Sequence, residues 1–459
     1  MENIIESVNR MIWGIPVLLL ILIVGLYLSF RTNFCQIRMF PLAVKKFFHS
    51  FQTKTEHVGE ISSYRALCTA LAATVGTGNI AGVAGAIAIG GPGVIFWMWV
   101  CAILGMVTKF AEVTLALRFR TKNDHGEFVG GPMYMIQLGL PKKYHFLSYL
   151  YAFFGVVAAF GVGNAAQVNA VVDCFKCISG VLDHNFGVRE SVLLGAIIVL
   201  LLIRAFRGGA SGIGHWAEML VPAASVIYIL LTLGTLCLRW QYVPAAFEAI
   251  LLGAFTPRSA TCGVISSVLL TLRVGASRGV FTNEAGMGTA SIAHAGAVAS
   301  HPVEQGLMGM IEVFLDTILI CTLTALAILC SRIAIPFGTD PGITLTLHAF
   351  ATVYGDWAVF VITALVCILA FATILGWGLY GARCAQYLFG ARIWKRYVCI
   401  QAFIVLLGVL LKTSVIWNLA EIVNGLMAIP NLTALIMLSP ELIHLVKEYR
   451  LNRKAYSLH

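Results

Sequence analysis

Apolar runs of membrane-crossing length recur from one end of this 459-residue chain to the other, and they leave few folds open. In hydrocarbon every backbone N–H and C=O must be satisfied within the protein, so a crossing segment is a helix or part of a closed barrel. Runs of about 20 residues suit helices, whereas barrel strands span about 10 and alternate in polarity. Charged residues make up 11% of the chain and mean hydropathy is +0.87, against roughly 25% charged in a soluble domain. The expectation is an all-α integral membrane protein.

We read eleven spans, at roughly 13–30, 66–90, 93–117, 147–175, 190–206, 217–238, 262–295, 307–331, 356–381, 397–411 and 415–439. Residues 244–255 are apolar but short, which suits an interfacial segment or a half-helix. The run from Trp13 to Phe30 reads as a retained span and not a signal peptide: Glu2 and Glu6 precede it, Arg31 and Arg38 follow, and no small-x-small cleavage site intervenes. The twelve cysteines are scattered, and the one close pair, Cys174 and Cys177, has no second pair to complete a tetrahedral metal site.

With the N-terminus outside, the cytoplasmic segments carry twenty-one Lys and Arg and the outer loops seven. That asymmetry is the positive-inside pattern, with the C-terminal tail in the cytoplasm. The net charge of +10 is therefore a topological signal, and nucleic-acid binding is not expected.

Two spans are interrupted. Gly76, Thr77, Gly78 and Asn79 stand inside the 66–90 run, and Phe281-Thr-Asn-Glu-Ala-Gly-Met-Gly288 inside 262–295. Leaving aside the first span, the other ten divide into two sets of five, each opening on an interrupted span; the second set is then inverted. Such a pair of breaks is a sequence pointer to a binding site near mid-membrane. The corresponding divisions are an extra helix at 13–30, repeats at 66–238 and 262–439, and a tail at 440–459 within one transporter domain.

Each break exposes N–H groups at one half-helix end and C=O groups at the other. The N–H groups suit a carboxylate and the C=O groups suit Na⁺, with Thr74, Thr77 and Asn79 adding neutral oxygens. Close helix packing through small residues is the alternative for the first break alone. Its match to G-x-G-x-x-[GA] is not a nucleotide site, because the motif lies within an apolar span and not after a strand. In the second break, Arg278 and Glu284 could neutralise each other, and Phe281 could close over a ligand or fill the core.

Asn164 and Gln167 share one helix face, where they either cross-link helices or meet a ligand; Thr373 and Trp377 share another. Asp316 has no basic neighbour in sequence and must find a partner in space or hold a proton, as an ion relay or a hydrogen-bonded brace. Lys109 and Glu112, three apart, are expected to pair locally. No nucleophile elbow or metal-ligand spacing is present in the sequence, so an enzyme is not expected.

Several long segments, in order, carry a resemblance: GTGNIAGVAGAIAIGGPGVIFWMW (76–99), GGPMYMI (130–136), RGVFTNEAGMGTASIAHAGA (278–297), HPVEQGL (301–307), FLDTILICTLTAL (314–326), FATILGWGLYG (371–381) and NGLMAIPNL (424–432). They resemble the alanine/glycine:cation symporter family over nearly the whole chain. The resemblance implies a LeuT-like fold with a 5+5 inverted repeat and one extra helix, and Na⁺-coupled uptake of small neutral amino acids across a bacterial or archaeal plasma membrane. It implies no cofactor beyond Na⁺ as coupling ion, a lipid bilayer as surroundings and a monomer as working unit.

Carried onto this chain, the substrate site is Thr77, Gly78, Asn79, Gln167, Phe281, Asn283, Thr373 and Trp377. By fold analogy the Na⁺ ligands are Ala72 and Val75 carbonyls with Thr373, and a second site would use Thr74 and Asn79. Thr282 and Thr289 stand where the family commonly has serine, which keeps the hydroxyl and adds a methyl. A proton-coupled carrier or exchanger, with Glu284 or Asp316 as proton site, is the alternative, followed by a sensor or channel borrowing the fold. Alanine, glycine, serine and glutamine all remain open as substrates.

Overall fold

The computed structural model describes residues 15–51, 61–124, 126–182, 186–256, 268–410 and 413–452. The start of the first expected span, residues 262–267 of the seventh, and Arg10, Lys54, Arg258, Lys412, Arg453 and Lys454 of the charge count lie outside them.

The described residues are almost wholly helical. In chain order the principal helices are α1 (Ile15–Arg31), α2 (Phe40–Ser50), α3 (Ser63–Thr74), α4 (Gly78–Gly90) and α5 (Val94–Arg118). A two-stranded hairpin, β1 (Thr121–Lys122) with β2 (Phe128–Val129), precedes α6 (Pro132–Gly139). Then come α7 (146–181), α8 (Val188–Phe206), α9 (Gly209–Leu238) and α10 (Val243–Phe255). The second half holds α11 (Val268–Asn283), α12 (Thr289–His294), α13 (Pro302–Ser331), α14 (Thr344–Tyr354), α15 (Trp357–Phe389), α16 (Trp394–Leu410), α17 (Thr413–Met437) and α18 (Ser439–Leu451).

Every expected span carries helix. Among the described residues, six helices are long and apolar enough to cross a membrane singly, and two bent pairs pass as one span each: α3 with α4, bent by 51°, and the later part of α17 with α18, bent by 58°. The short apolar run near 244–255 is the half-length helix α10, which rests on α5, where Trp97 Nε1 donates to the Ala254 carbonyl at 3.3 Å.

Local chemistry sets the ends. Ser62 caps α3 by accepting the Arg65 N–H at 3.1 Å, and Pro302 opens α13, where its missing N–H costs nothing. Pro222 and Pro430 lie inside α9 and α17, tolerated because neighbouring helices re-satisfy the freed backbone.

Long α5 and α13 pack together with α11, and α15 packs against α7, α9 and α3. This brings the interrupted spans together between the α5–α13 pair and α15. Leu193, Leu200, Leu230, Phe403 and Leu410 are exposed. On a membrane protein such residues are the lipid-facing surface, not a liability.

Candidate functional site

The first break begins at Val75, which leaves helical geometry (φ −80°, ψ 96°). The chain resumes at Gly78 in a π-turn running to Gly82. N–H groups opening a helix have no acceptor within it; that of Gly76 is met by Asn79 Oδ1 at 2.9 Å. The second break runs from Glu284 to Gly288, with φ of 55° at Glu284, 95° at Gly286 and 76° at Gly288. Glycine adopts these angles without a Cβ penalty.

One polar chain joins the two breaks. Asn79 Nδ2 donates to Asp316 Oδ1 at 2.6 Å. The Thr317 hydroxyl donates to Asp316 Oδ2 at 2.8 Å and accepts from Asn283 Nδ2 at 3.1 Å. Thr282 Oγ1 lies 3.4 Å from Thr317 Oγ1. Asp316 and Thr317 reach inward from a π-helical stretch of α13, Phe314–Cys321. A third π-turn, Gly161–Ala165 in α7, ends two residues before Gln167. Such π-segments are frequent at functional sites, because the widened turn rotates side chains and loosens carbonyls.

The other walls come from α7 and α15. Gln167 Oε1 accepts the Thr77 hydroxyl at 2.9 Å, and its Nε2 donates to the Val162 carbonyl at 3.1 Å. Thr373 donates its hydroxyl to Leu369 O at 3.0 Å in its own helix. Its oxygen stands so close to the first break that a Cβ added to Gly76 would meet it at 2.5 Å. Trp377 is buried, and its indole N–H donates to Glu284 Oε1 at 2.8 Å, while the Thr289 hydroxyl donates to Oε2 at 2.5 Å. Phe281 is buried, with the Arg278 guanidinium 5.8 Å from its ring centre.

Of the residues expected at the site, Thr77, Asn79, Gln167, Asn283, Thr373 and Trp377 thus join through direct bonds or close approach around the two breaks. Gly78 faces Thr282, whose methyl would lie 3.5 Å from an added Cβ. Ala72, Thr74 and Val75 are buried just before the first break, where the Thr74 hydroxyl bonds to Ala70 O at 3.3 Å. Asn164 is a cross-link: its Nδ2 donates to Gln401 O at 2.9 Å.

The expected Lys109–Glu112 pair is corrected, and the Arg278–Glu284 alternative is not formed. Arg278 pairs with Glu421 on α17 at 3.0 Å, not with Glu284, which is held by Trp377 and Thr289. Lys109 pairs with Glu312 on α13 at 3.3 Å, not with Glu112. Glu312 also meets His294 Nε2 at 3.2 Å. Glu112 instead accepts the N–H groups of Gly286 (2.8 Å) and Gly288 (3.0 Å) and the Asn431 amide (2.7 Å) through one oxygen, Oε1. Lys109, Glu112 and Glu312 are fully buried and follow long-range partners because an unpaired charge in this setting is far costlier than a surface pair is favourable, whereas the Arg278–Glu421 pair is part-buried.

The two ends of the broken spans are both tied. At one end, Ile61 and Ala297 form a parallel bridge, Ser63 Oγ donates to Val298 O at 2.8 Å, and Arg65 pairs with Glu218 at 2.8 Å. Toward the other end the Thr271 hydroxyl on α11 donates to Gly90 O on α4 at 2.9 Å, and further along α11 Arg278 pairs with Glu421 on α17. Asn431 and Thr317 are bonded to the breaks without being singled out by the sequence, and Glu112, expected as a local ion-pair partner, is bonded there too. Glu112 carried a signal as a carboxylate inside an apolar span, but its target is backbone on a segment 174 residues away.

An all-helical membrane protein whose two interrupted spans face each other across a polar centre is a secondary transporter. The family model described as the sodium:alanine symporter family matches residues 1–458, and the chain belongs to that family. It is accordingly a Na⁺-coupled amino-acid symporter and not an enzyme. The sodium/alanine symporter AgcS of Methanococcus maripaludis is 40% identical over 98% of this chain and 98% of its own. The "Probable sodium/glutamine symporter GlnT" of Bacillus subtilis is 34% identical over 99% of this chain and 92% of its own. Among solved structures, MhsT in complex with L-phenylalanine superposes with a TM-score of 0.60 at 15% identity, covering 85% of this chain and 99% of that one. That likeness bears on the fold alone, and it agrees with the LeuT-like expectation.

Proposed function

We propose that the chain takes up a small neutral amino acid together with Na⁺ by alternating access, and that the substrate carboxylate docks on the first break. The observation that carries this reading is the asymmetry of the two breaks. Gly286 and Gly288 already give their N–H groups to an internal carboxylate, Glu112. The N–H groups of Thr77 and Gly78 open α4, where helix geometry provides no acceptor. An incoming carboxylate therefore meets free donors at the first break and a filled place at the second. Its ammonium would face the carbonyl and amide oxygens around Gln167 and Asn283, with Phe281, Thr373 and Trp377 bounding the side chain.

For Na⁺, carbonyls at Ala72 and Val75 with Thr373 form one candidate set, and Thr74 with Asn79 a second. Asp316 extends the second set. Its carboxylate lies within reach of Asn79, and the Thr317 and Thr282 hydroxyls stand beside it. Among the described residues no cluster of three His, Cys, Asp or Glu has metal-binding geometry, so any ion here is held mostly by neutral oxygens, as suits a releasable monovalent cation. Asp316→Asn keeps the shape and loses the charge. The half-saturating Na⁺ concentration is expected to rise about tenfold or more, equivalent to about 1.4 kcal/mol. An unchanged Na⁺ dependence would leave Asp316 as a brace for Asn79 only.

The units of the cycle are the repeats at 66–238 and 262–439, in one domain that works as a monomer. The N-terminus is outside and the C-terminus in the cytoplasm of a bacterial or archaeal plasma membrane. On this orientation the Ile61–Ala297 bridge closes the inner side, and the Thr271–Gly90 bond and the Arg278–Glu421 pair lie toward the outer. Na⁺ and substrate must each tighten the other's binding by the same factor.

The deciding experiment is alanine uptake into proteoliposomes. An inward Na⁺ gradient is expected to drive accumulation, and a pH gradient without Na⁺ is not. Uptake that ignores Na⁺ would replace this reading with the proton-coupled one, and loss of saturable counterflow would replace it with a channel. Competition by unlabelled glycine, serine and glutamine then ranks the substrates.

A further inference from the structure

Away from the breaks, the ends of α9, α15 and α16 border an open cavity of about 450 Å³ lined by Glu127, Arg383, Gln386, Arg392, Trp394 and Lys395. Three cations face one carboxylate there. Arg383 is 8% exposed and fixed: it donates to Glu127 Oε2 at 2.7 Å and Gln386 Oε1 at 3.0 Å, with its guanidinium 6.0 Å from the Trp394 ring. Glu127 is thus engaged by Arg383, while Arg392 and Lys395 are exposed at the mouth. Phe206 and Trp394 lie 5.7 Å apart, so the end of α8 adjoins the cavity and brings exposed Arg204 and Arg207 to the same edge.

The helices whose ends line the cavity also carry an exposed apolar wall. Phe389, Ile400, Phe403 and Leu410 are all exposed along the end of α15 and the length of α16. A ligand here would have an anionic group among the cations and its remaining body against hydrocarbon. Arg supplies paired donors matched to phosphate oxygens, and Lys adds a point charge. Basic pockets between helices at the membrane edge hold phospholipid headgroups by this chemistry.

We propose that this cavity is a binding site for a phosphate-bearing anion, and that the anion is the headgroup of an anionic membrane phospholipid. The apolar wall favours the lipid over free phosphate, which would gain nothing from it. The site does not depend on the direction of transport or on the substrate.

The test uses the full-length protein in detergent, titrated with phosphatidylglycerol, phosphatidylcholine or inorganic phosphate and read by native mass spectrometry. Wild type is expected to retain phosphatidylglycerol over phosphatidylcholine. Each exposed cation near an anionic headgroup accounts for about a fivefold preference, so Arg392→Gln with Lys395→Gln is expected to reduce it by about twenty- to thirtyfold. A control double variant, Lys142→Gln with Lys143→Gln, removes two exposed lysines from the turn before α7 and is expected to keep the preference. Equal losses in both variants would mean a response to net charge and would overturn the site, as would no preference in wild type. Displacement of phosphatidylglycerol by millimolar phosphate, in wild type but not in the variant, would overturn the lipid assignment in favour of free phosphate. Both target residues are exposed, so an unchanged melting temperature is expected and shows that the variant is folded.

Discussion

Gly76→Ala is expected to reduce Na⁺-driven alanine uptake to below about a hundredth of wild type while the protein still inserts in the membrane. The added Cβ would meet the Thr373 hydroxyl at 2.5 Å and Gln167 Oε1 at 3.7 Å. The first distance is about 1 Å inside normal contact, and neither neighbour yields easily. Thr373 is bonded to its own helix at 3.0 Å, and Gln167 is held at both ends of its amide. Overpacking of this kind costs about 1–3 kcal/mol, and the strain falls on residues proposed to bound the substrate, where a shift of about 1 Å is worth about a hundredfold.

Gly78 provides the contrast. Its added Cβ would lie 3.5 Å from the Thr282 methyl, an ordinary contact. Gly78→Ala is therefore expected to keep most of its uptake, whereas a leucine there would fill the space between the breaks and abolish it. Uptake in proteoliposomes and melting temperature in detergent, measured on all three variants, separate the cases. Wild-type uptake by Gly76→Ala would mean that Thr373 does not stand against the working site.

The contrast also shows where sequence reading stops. Both glycines sit in the same interrupted run, and the run alone marks a weak helix with polar residues inside an apolar span. Which glycine touches what depends on α15, about 300 residues away, and is not encoded locally. Span positions were legible because a bilayer imposes one length on every crossing segment. The breaks were legible because glycine and polar residues at that depth contradict their surroundings. Short α2 and α14 escaped because 11 residues each are below that length. The partners of Lys109, Glu112, Arg278 and Glu284 were not legible for a different reason. Spacing predicts pairs on a solvated helix, but a buried charge such as Lys109 or Glu112 is drawn to whatever satisfies it most completely, here on other segments, and part-buried Arg278 likewise reaches another helix.

Glu112→Ala is expected to be the more severe of two changes at that position, and the pair measures how the second break is held. One carboxylate oxygen accepts from Gly286, Gly288 and Asn431 at 2.8, 3.0 and 2.7 Å. Asn431 keeps a second bond, to the Gly286 carbonyl at 2.8 Å, but the two backbone N–H groups have no such reserve in those bonds. Two buried donors left without acceptors cost about 1–3 kcal/mol each. That is a large share of the roughly 5–15 kcal/mol by which a folded chain is stable. Glu112→Ala is accordingly expected to lower the melting temperature and abolish uptake. Glu112→Gln retains an amide oxygen that can stand in the same place, with a weaker, uncharged acceptor, since charge-assisted bonds are about twice as strong as neutral ones. It is expected to fold, and to transport about tenfold or more below wild type. The physical reason is that the Gly286 and Gly288 N–H groups, which open the way into α12 beside Asn283 and Glu284, would then be held more loosely. A melting temperature and uptake rate unchanged in Glu112→Ala would mean that the second break holds itself. In that case its N–H groups would be open to a substrate carboxylate after all, and the asymmetry that assigns the carboxylate to Thr77 and Gly78 would be lost with them.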